Sequence, residues 1–256
     1  MKNKVYKLIL FSFEMIFSLL LLIISIMFTI ASIHNISMTE KIKEFIDSAS
    51  FEFESNGTYY YSVQCEELDE DTIVFNKIND DLYGAPTLGM PGDIFVMPQS
   101  RMEYIPFFSQ FVSYLFGGHA GVVIENKRLV EAMGGSSNQS FVYNVPTDLY
   151  TEERTVIGLR VDASLGERRQ AAQNATSIVG KSYNYWFIFN TRDSYYCTDI
   201  CSRIYGRQFG MNYQIDTNGF HVSVQDLFRS SDTDITFVKY KQDEKTYIYY
   251  LKKTSQ

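Results

Sequence analysis

Cys197 is the residue in this chain best placed for covalent chemistry. It follows the loop-like run Ser194-Tyr195-Tyr196 and opens the helical pattern Cys197-Thr198-Asp199-Ile200-Cys201-Ser202-Arg203-Ile204. A thiol in the first turn of a helix meets the positive end of the helix dipole and N–H groups that have no intrahelical partner. Both favour the thiolate, which is the nucleophilic form. The same N–H groups can donate to the oxyanion that forms when a carbonyl carbon is attacked. Taken alone, the position reads sooner as a buried cysteine packed as a small apolar side chain. Cys201, one helical turn on, reads as core packing, and Cys65 as incidental. Three cysteines without regular spacing are not a disulfide framework. Neither they nor His34, His119 and His221 have zinc-ligand spacing, so no metal and no cofactor is expected.

A thiol nucleophile needs a base that takes its proton and later returns it to a leaving group. His119 opens the apolar run Gly118-His119-Ala120-Gly121-Val122-Val123-Ile124-Glu125, and its flanking glycines leave room beside the imidazole. Glu131 is a lone carboxylate inside Leu129-Val130-Glu131-Ala132-Met133, where it needs a partner or a solvent-facing side. If 119–125 and 128–133 form a hairpin, the strand period of two decides whether the two meet. A three- or five-residue loop centred on Glu125 sets His119 opposite Glu131 on one face. A two-residue turn at Asn126-Lys127 puts them on opposite faces. In the first register Glu131 could orient the imidazole, the third role of a triad.

The elements that must position these residues are short. Strand patterns cover 93–96, 119–125, 128–133, 140–145 and 155–161, and the chain closes with strands near 235–240 and 247–251. Ser164 with Glu167 three residues later is a capping box, and its helix runs to a stop at Gly180. A second helix begins near Cys197 and a third, short one after Ser223. Strands lead and close with helices between them, an α+β arrangement. Gly180-Lys181-Ser182 ends a helix instead of opening one and is not a phosphate loop.

Residues 8–33 are apolar apart from Glu14 and a few hydroxyl side chains. The uncharged stretch 15–33 would span about 28 Å as a helix, close to the hydrocarbon thickness of a bilayer. Lys2, Lys4 and Lys7 precede it, which places the N-terminus in the cytoplasm and residues from about 38 onward outside. The apolar run is longer than that of a cleaved signal peptide. Residues 1–37 therefore read as a cytoplasmic tail and transmembrane anchor. Residues 38–85, polar and acidic with aromatic runs such as Tyr59-Tyr60-Tyr61, read as a juxtamembrane spacer running into an opening strand, and 86–256 as the functional domain.

The chain has 256 residues, 45 % hydrophobic and 21 % charged, a globular composition. Its net charge is −7. Setting aside the three lysines and Glu14 of the anchor region leaves −9, so nucleic acid is excluded as the partner.

Together these residues resemble the permuted papain-like cysteine hydrolases, the YiiX/YaeF-like branch of the NlpC superfamily, related to the lecithin retinol acyltransferase group. The matching segments are Gly92-Asp93-Ile94, the run 118–125, Val130-Glu131-Ala132, Gly180-Lys181-Ser182-Tyr183-Asn184 and Tyr195-Tyr196-Cys197-Thr198-Asp199-Ile200. Histidine before cysteine is the circular permutation that marks this branch. The resemblance covers about 90–245. It implies an α+β, circularly permuted papain-like (NlpC-type) domain, its antiparallel sheet packed on helices, here preceded by one transmembrane helix. It implies Cys197 as nucleophile, His119 as base and Glu131 as orienting residue, with the Cys197 N–H in an oxyanion hole and Tyr196 and Tyr183 lining the cleft. Thr198-Asp199 departs from the Ser-Glu common in relatives. The expected activity is cleavage of an amide bond in a peptide or cell-wall fragment through a Cys thioester. The alternatives are a lipid acyl hydrolase or acyltransferase of the same fold, a catalytically inactive surface-binding domain, and a Cys197–Cys201 redox sensor, for which the spacing is wrong.

Overall fold

The computed structural model describes residues 2–65, 89–98, 113–115, 117–125, 128–134, 141–146, 155–187, 193–216 and 221–253. The acidic run 66–71 and the turn residues 126–127 lie outside them.

In chain order the elements are α1 (Lys2–Asp47), β1 (Ser50–Ser55), β2 (Thr58–Cys65), β3 (Ile94–Met97), β4 (His119–Ile124), β5 (Arg128–Met133), β6 (Phe141–Pro146), β7 (Thr155–Val161), α2 (Leu165–Ser177), β8 (Ser182–Tyr183), β9 (Ser194–Tyr195), α3 (Cys197–Arg203), α4 (Val224–Arg229), β10 (Thr233–Gln242) and β11 (Lys245–Lys253). The result is a mixed α+β fold. Its strands follow the order β1-β2-β11-β10-β7-β3-β4-β5-β6-β8-β9 and are mostly antiparallel, with parallel pairing at β2–β11 and β8–β9.

α1 is one uninterrupted helix of 46 residues, about 69 Å long. It is long and apolar enough to cross a membrane. Its large apolar side chains stand exposed along almost the whole stretch from Val5 to Ile36. Beyond that it serves the domain. Met38 is buried, and Ile42, Phe45 and Ile46 pack on the main core at the three-to-four-residue spacing of one helix face. The rest of the segment expected as a spacer is also built into the fold where it is described. β1 and β2 form a hairpin through Asn56-Gly57, whose φ values of 50° and 76° suit the turn that joins twisted strands. β2 then pairs in parallel with β11 from Thr58↔Thr246 to Cys65↔Lys253.

The main core lies between the sheet and the helices, with Ala171, Ala172 and Ala175 of α2, Ile200 of α3 and Leu227 and Phe228 of α4 all buried. The capping box at Ser164–Glu167 starts α2, and a second one, Ser223–Asp226, starts α4. A fully buried ion pair clamps the two strands at the sheet centre. Arg160 of β7 donates from Nε and Nη2 to the two carboxylate oxygens of Asp93, at 2.8 and 2.7 Å, just before β3.

Candidate active site

His119 is the first residue of β4, opposite Met97 of β3. The strand can start there because Gly117 and Gly118 take φ values of +77° and +101°. A Cβ on Gly118 would overlap the carbonyl oxygen of Met97, and one on Gly117 would lie 2.7 Å from Val224 Cβ. Only glycine combines that conformation with that approach.

The β4–β5 register is Val122↔Val130, Val123↔Leu129, Ile124↔Arg128. It encloses three loop residues centred on position 126, not on Glu125. This is neither of the registers considered from sequence, being shifted by two from the one that would oppose His119 to Glu131. The parity is unchanged, so both side chains share one face, with Glu131 diagonal to His119. Diagonal neighbours on adjacent strands are within reach of long side chains. Glu131 Oε2 lies 2.8 Å from His119 Nε2. The carboxylate is fully buried and the imidazole nearly so.

With Nε2 on Glu131, Nδ1 is the nitrogen left for Cys197, the first residue of α3, whose thiol is hydrogen-bonded to the imidazole. The backbone N–H groups of Ala120 and Thr198 also donate to the sulfur. Burial alone would push the Cys197 thiol up. The charge of the imidazolium, its hydrogen bond and the two N–H donors outweigh burial and hold Cys197 below the ordinary thiol value. Burial opposes the charge on His119 as well, but the Cys197 thiolate and then Glu131 push it up to about 10. The directions agree: each group favours the charged form of the other, thiolate and imidazolium. Cys197 itself remains partly exposed.

The start of α3 is pinned by contacts independent of the imidazole. Thr198 Oγ1 donates to the Val222 carbonyl at 2.6 Å, and the Val222 N–H donates to Tyr196 Oη at 2.8 Å. The Thr198-Asp199 departure therefore has a role on each side chain. Asp199 is buried, which pushes its carboxyl up to about 6 against the opposing pull of Arg203, whose Nη1 lies 3.0 Å away. Tyr196, expected to line the cleft, is 2 % exposed; its ring touches that of Phe187 at 5.4 Å between centroids. Tyr183 is partly exposed, contacts the rings of Tyr185 and Phe187, and is close enough to Cys197 to feel its charge.

Cys201 is fully buried, donates to the Cys197 carbonyl at 3.5 Å, and is pushed well up by burial and the Cys197 charge. It is a free thiol in the core. Among the described residues no group of His, Cys, Asp and Glu is arranged to hold a metal ion. A cavity of about 590 Å³ lies between the end of α1 and strands β7 and β10, lined by Lys41, Phe45, Arg160 and Thr236 among others and by none of Cys197, His119 and Glu131.

Three supporting features escaped the sequence reading. The Ala120 N–H carries no side-chain signal. Arg160 had one, as the single charge in an otherwise apolar strand. Asn184 is buried and fixes the turn after Tyr183, its Oδ1 accepting from Trp186 N–H at 3.0 Å; an asparagine between aromatics marks such a turn.

Compared with family models, curated proteins and solved structures, the chain matches none.

Proposed function

We propose that this chain is a cysteine hydrolase of the circularly permuted papain-like type, held at the outer face of a membrane by α1. The observation that carries the reading is one continuous arrangement. Cys197 is hydrogen-bonded to His119, and the other imidazole nitrogen is 2.8 Å from buried Glu131. Thiolate Sγ attacks the carbonyl carbon of an amide, and the carbonyl electrons move onto oxygen, facing the N–H groups at the start of α3. As the oxyanion collapses, the imidazolium of His119 protonates the departing nitrogen and a thioester remains. Water then attacks the thioester, giving its proton to His119 and releasing the carboxylic acid and Cys197. Glu131 acts through His119, fixing the ring and stabilising its charged form. The substrate of this reading is a peptide or cell-wall fragment outside the cytoplasm.

The same steps cleave an acyl ester of a lipid. The contact of α1 with the site end of the domain, Asn35 Oδ1 to Gln225 Nε2 at 3.1 Å, favours this second reading.

The test is labelling of the full chain in detergent with an electrophilic thiol reagent, followed by product analysis on peptidoglycan fragments and phospholipid. Cys197 should label selectively at neutral pH, and turnover should disappear in Cys197→Ala. Equal labelling of all three cysteines would overturn the catalytic reading. The substrate that turns over decides between the two classes.

A further inference from the structure

Outside α1, three of the exposed large apolar side chains among the described residues are consecutive. Trp186 is 73 % exposed, Tyr185 55 % and Phe187 43 %; the others are Tyr114, Val179, and Phe51 and Phe53 on edge strand β1 at one extreme of the sheet. The turn that carries three of them is built, not frayed. Asn184 pins it from beneath, and Phe187 is held at φ 55°, a conformation that non-glycine residues adopt rarely. Three consecutive aromatic side chains are thus exposed on a turn whose rings meet Tyr183 and Tyr196, the two tyrosines that feel the charge of Cys197.

α1 serves as a ruler for where that end lies. Among the described residues, its ring contact nearest the N-terminus with the domain is that of Phe28, which meets Tyr114 at 5.4 Å. Phe28 is within the uncharged 15–33 stretch, about 7 Å before its end. Next, Asn35 donates to the Tyr114 carbonyl and accepts from Gln225. It lies about 3 Å past Ile33, in the headgroup layer of a bilayer. Higher up, Lys41 donates to the Phe228 carbonyl, and Ile42 to Ile46 meet the core. α4 therefore turns its N-terminal end toward the membrane, and that end carries Val222. Val222 binds Tyr196, and Tyr196 touches Phe187.

We propose that Tyr185, Trp186 and Phe187 form a second contact with the bilayer, seated in its interfacial layer near the point where α1 leaves it. Tryptophan and tyrosine favour that layer because an apolar ring and a polar tip are accommodated together. The rim and α1 together then hold the Cys197 site near the lipid surface, where it takes substrates resident in it. The proposal rests on the reading of α1 as a membrane anchor.

Trp186 is the only tryptophan of the chain, so its fluorescence reports the rim without any substitution. The full chain is reconstituted into phosphatidylcholine vesicles, and co-flotation with lipid verifies that it is integrated. Phosphatidylcholine carrying a nitroxide near the headgroup is then introduced. The expected result is a blue-shifted emission that loses most of its intensity to the labelled lipid. An integrated chain with red, water-exposed emission that the label does not quench overturns the proposal. So does a blue shift without quenching, which would mean that protein covers the rim. Failure to float would instead overturn the anchor reading, and the labelling of Cys197 is independent of both.

Discussion

Glu131 and His119 are 2.8 Å apart at Oε2 and Nε2 although they are not opposed across the β4–β5 ladder. The hairpin register brings Glu131 to the diagonal position on the same face of the sheet. A carboxylate with no exposed surface is tolerated at that place because a charged imidazole is beside it.

Replacing Glu131 by Gln keeps the shape and removes the charge. Glu131 helps hold His119 above its ordinary value, so in Glu131→Gln the imidazolium is lost at lower pH. The alkaline limb of the activity profile should move downward, and the neutral rate should fall by about 10-fold to 100-fold. A profile that drops in height without moving would show that the residue is only structural.

In the wild-type chain, alkylation of Cys197 should hold a plateau to below the ordinary thiol value, because His119 and the two N–H donors lower it. In His119→Ala only the two N–H donors are left to oppose burial, so the reactive form should appear only at more alkaline pH. The neutral alkylation rate should fall by about 100-fold. Mass-spectrometric rates across pH, with Cys201 as an unreactive internal standard, measure this.

Gly118→Ala should misplace His119. The new Cβ would meet the Met97 carbonyl at a φ of +101°, which costs about 1–3 kcal/mol in backbone strain alone. The expected outcome is a lower melting temperature together with slowed labelling of Cys197. Gly180→Ala, also at positive φ but with open space around its Cβ, should lower the melting temperature and leave labelling unchanged.

Asp93→Asn should leave Arg160 as a buried charge without its carboxylate. Breaking such a pair costs about 3–5 kcal/mol, read as loss of thermal stability of the full chain in detergent. Removing both charges with Asp93→Asn and Arg160→Met should recover part of it.

Much of this arrangement was legible in the sequence. The strands at 128–133 and 155–161 and the helix capped by Ser164 follow from period and capping chemistry that act within a few residues. Cys197 at a helix start was read in the same way. The segment 38–65 was less legible. The helix continues to Asp47, and Asn56-Gly57 turns a hairpin, because Met38, Ile42 and Phe45 find a core to cover and β2 finds the edge of β11. Those partners are nearly 200 residues away in the chain.

By itself the sequence determined the local chemistry: an apolar helix long enough for a bilayer, a thiol at a helix start, a histidine after two glycines and a carboxylate in an apolar strand. Only the tertiary structure decided that three of these meet. Hairpin register is a sum of weak pairings on both strands, so two-residue shifts preserve every apolar face and leave no trace in the pattern. The approach of α3 to β4 depends on helices packing across the sheet, which no spacing along the chain encodes. That packing gives Cys197 its imidazole and its two backbone donors, and so lowers a thiol that burial alone would raise.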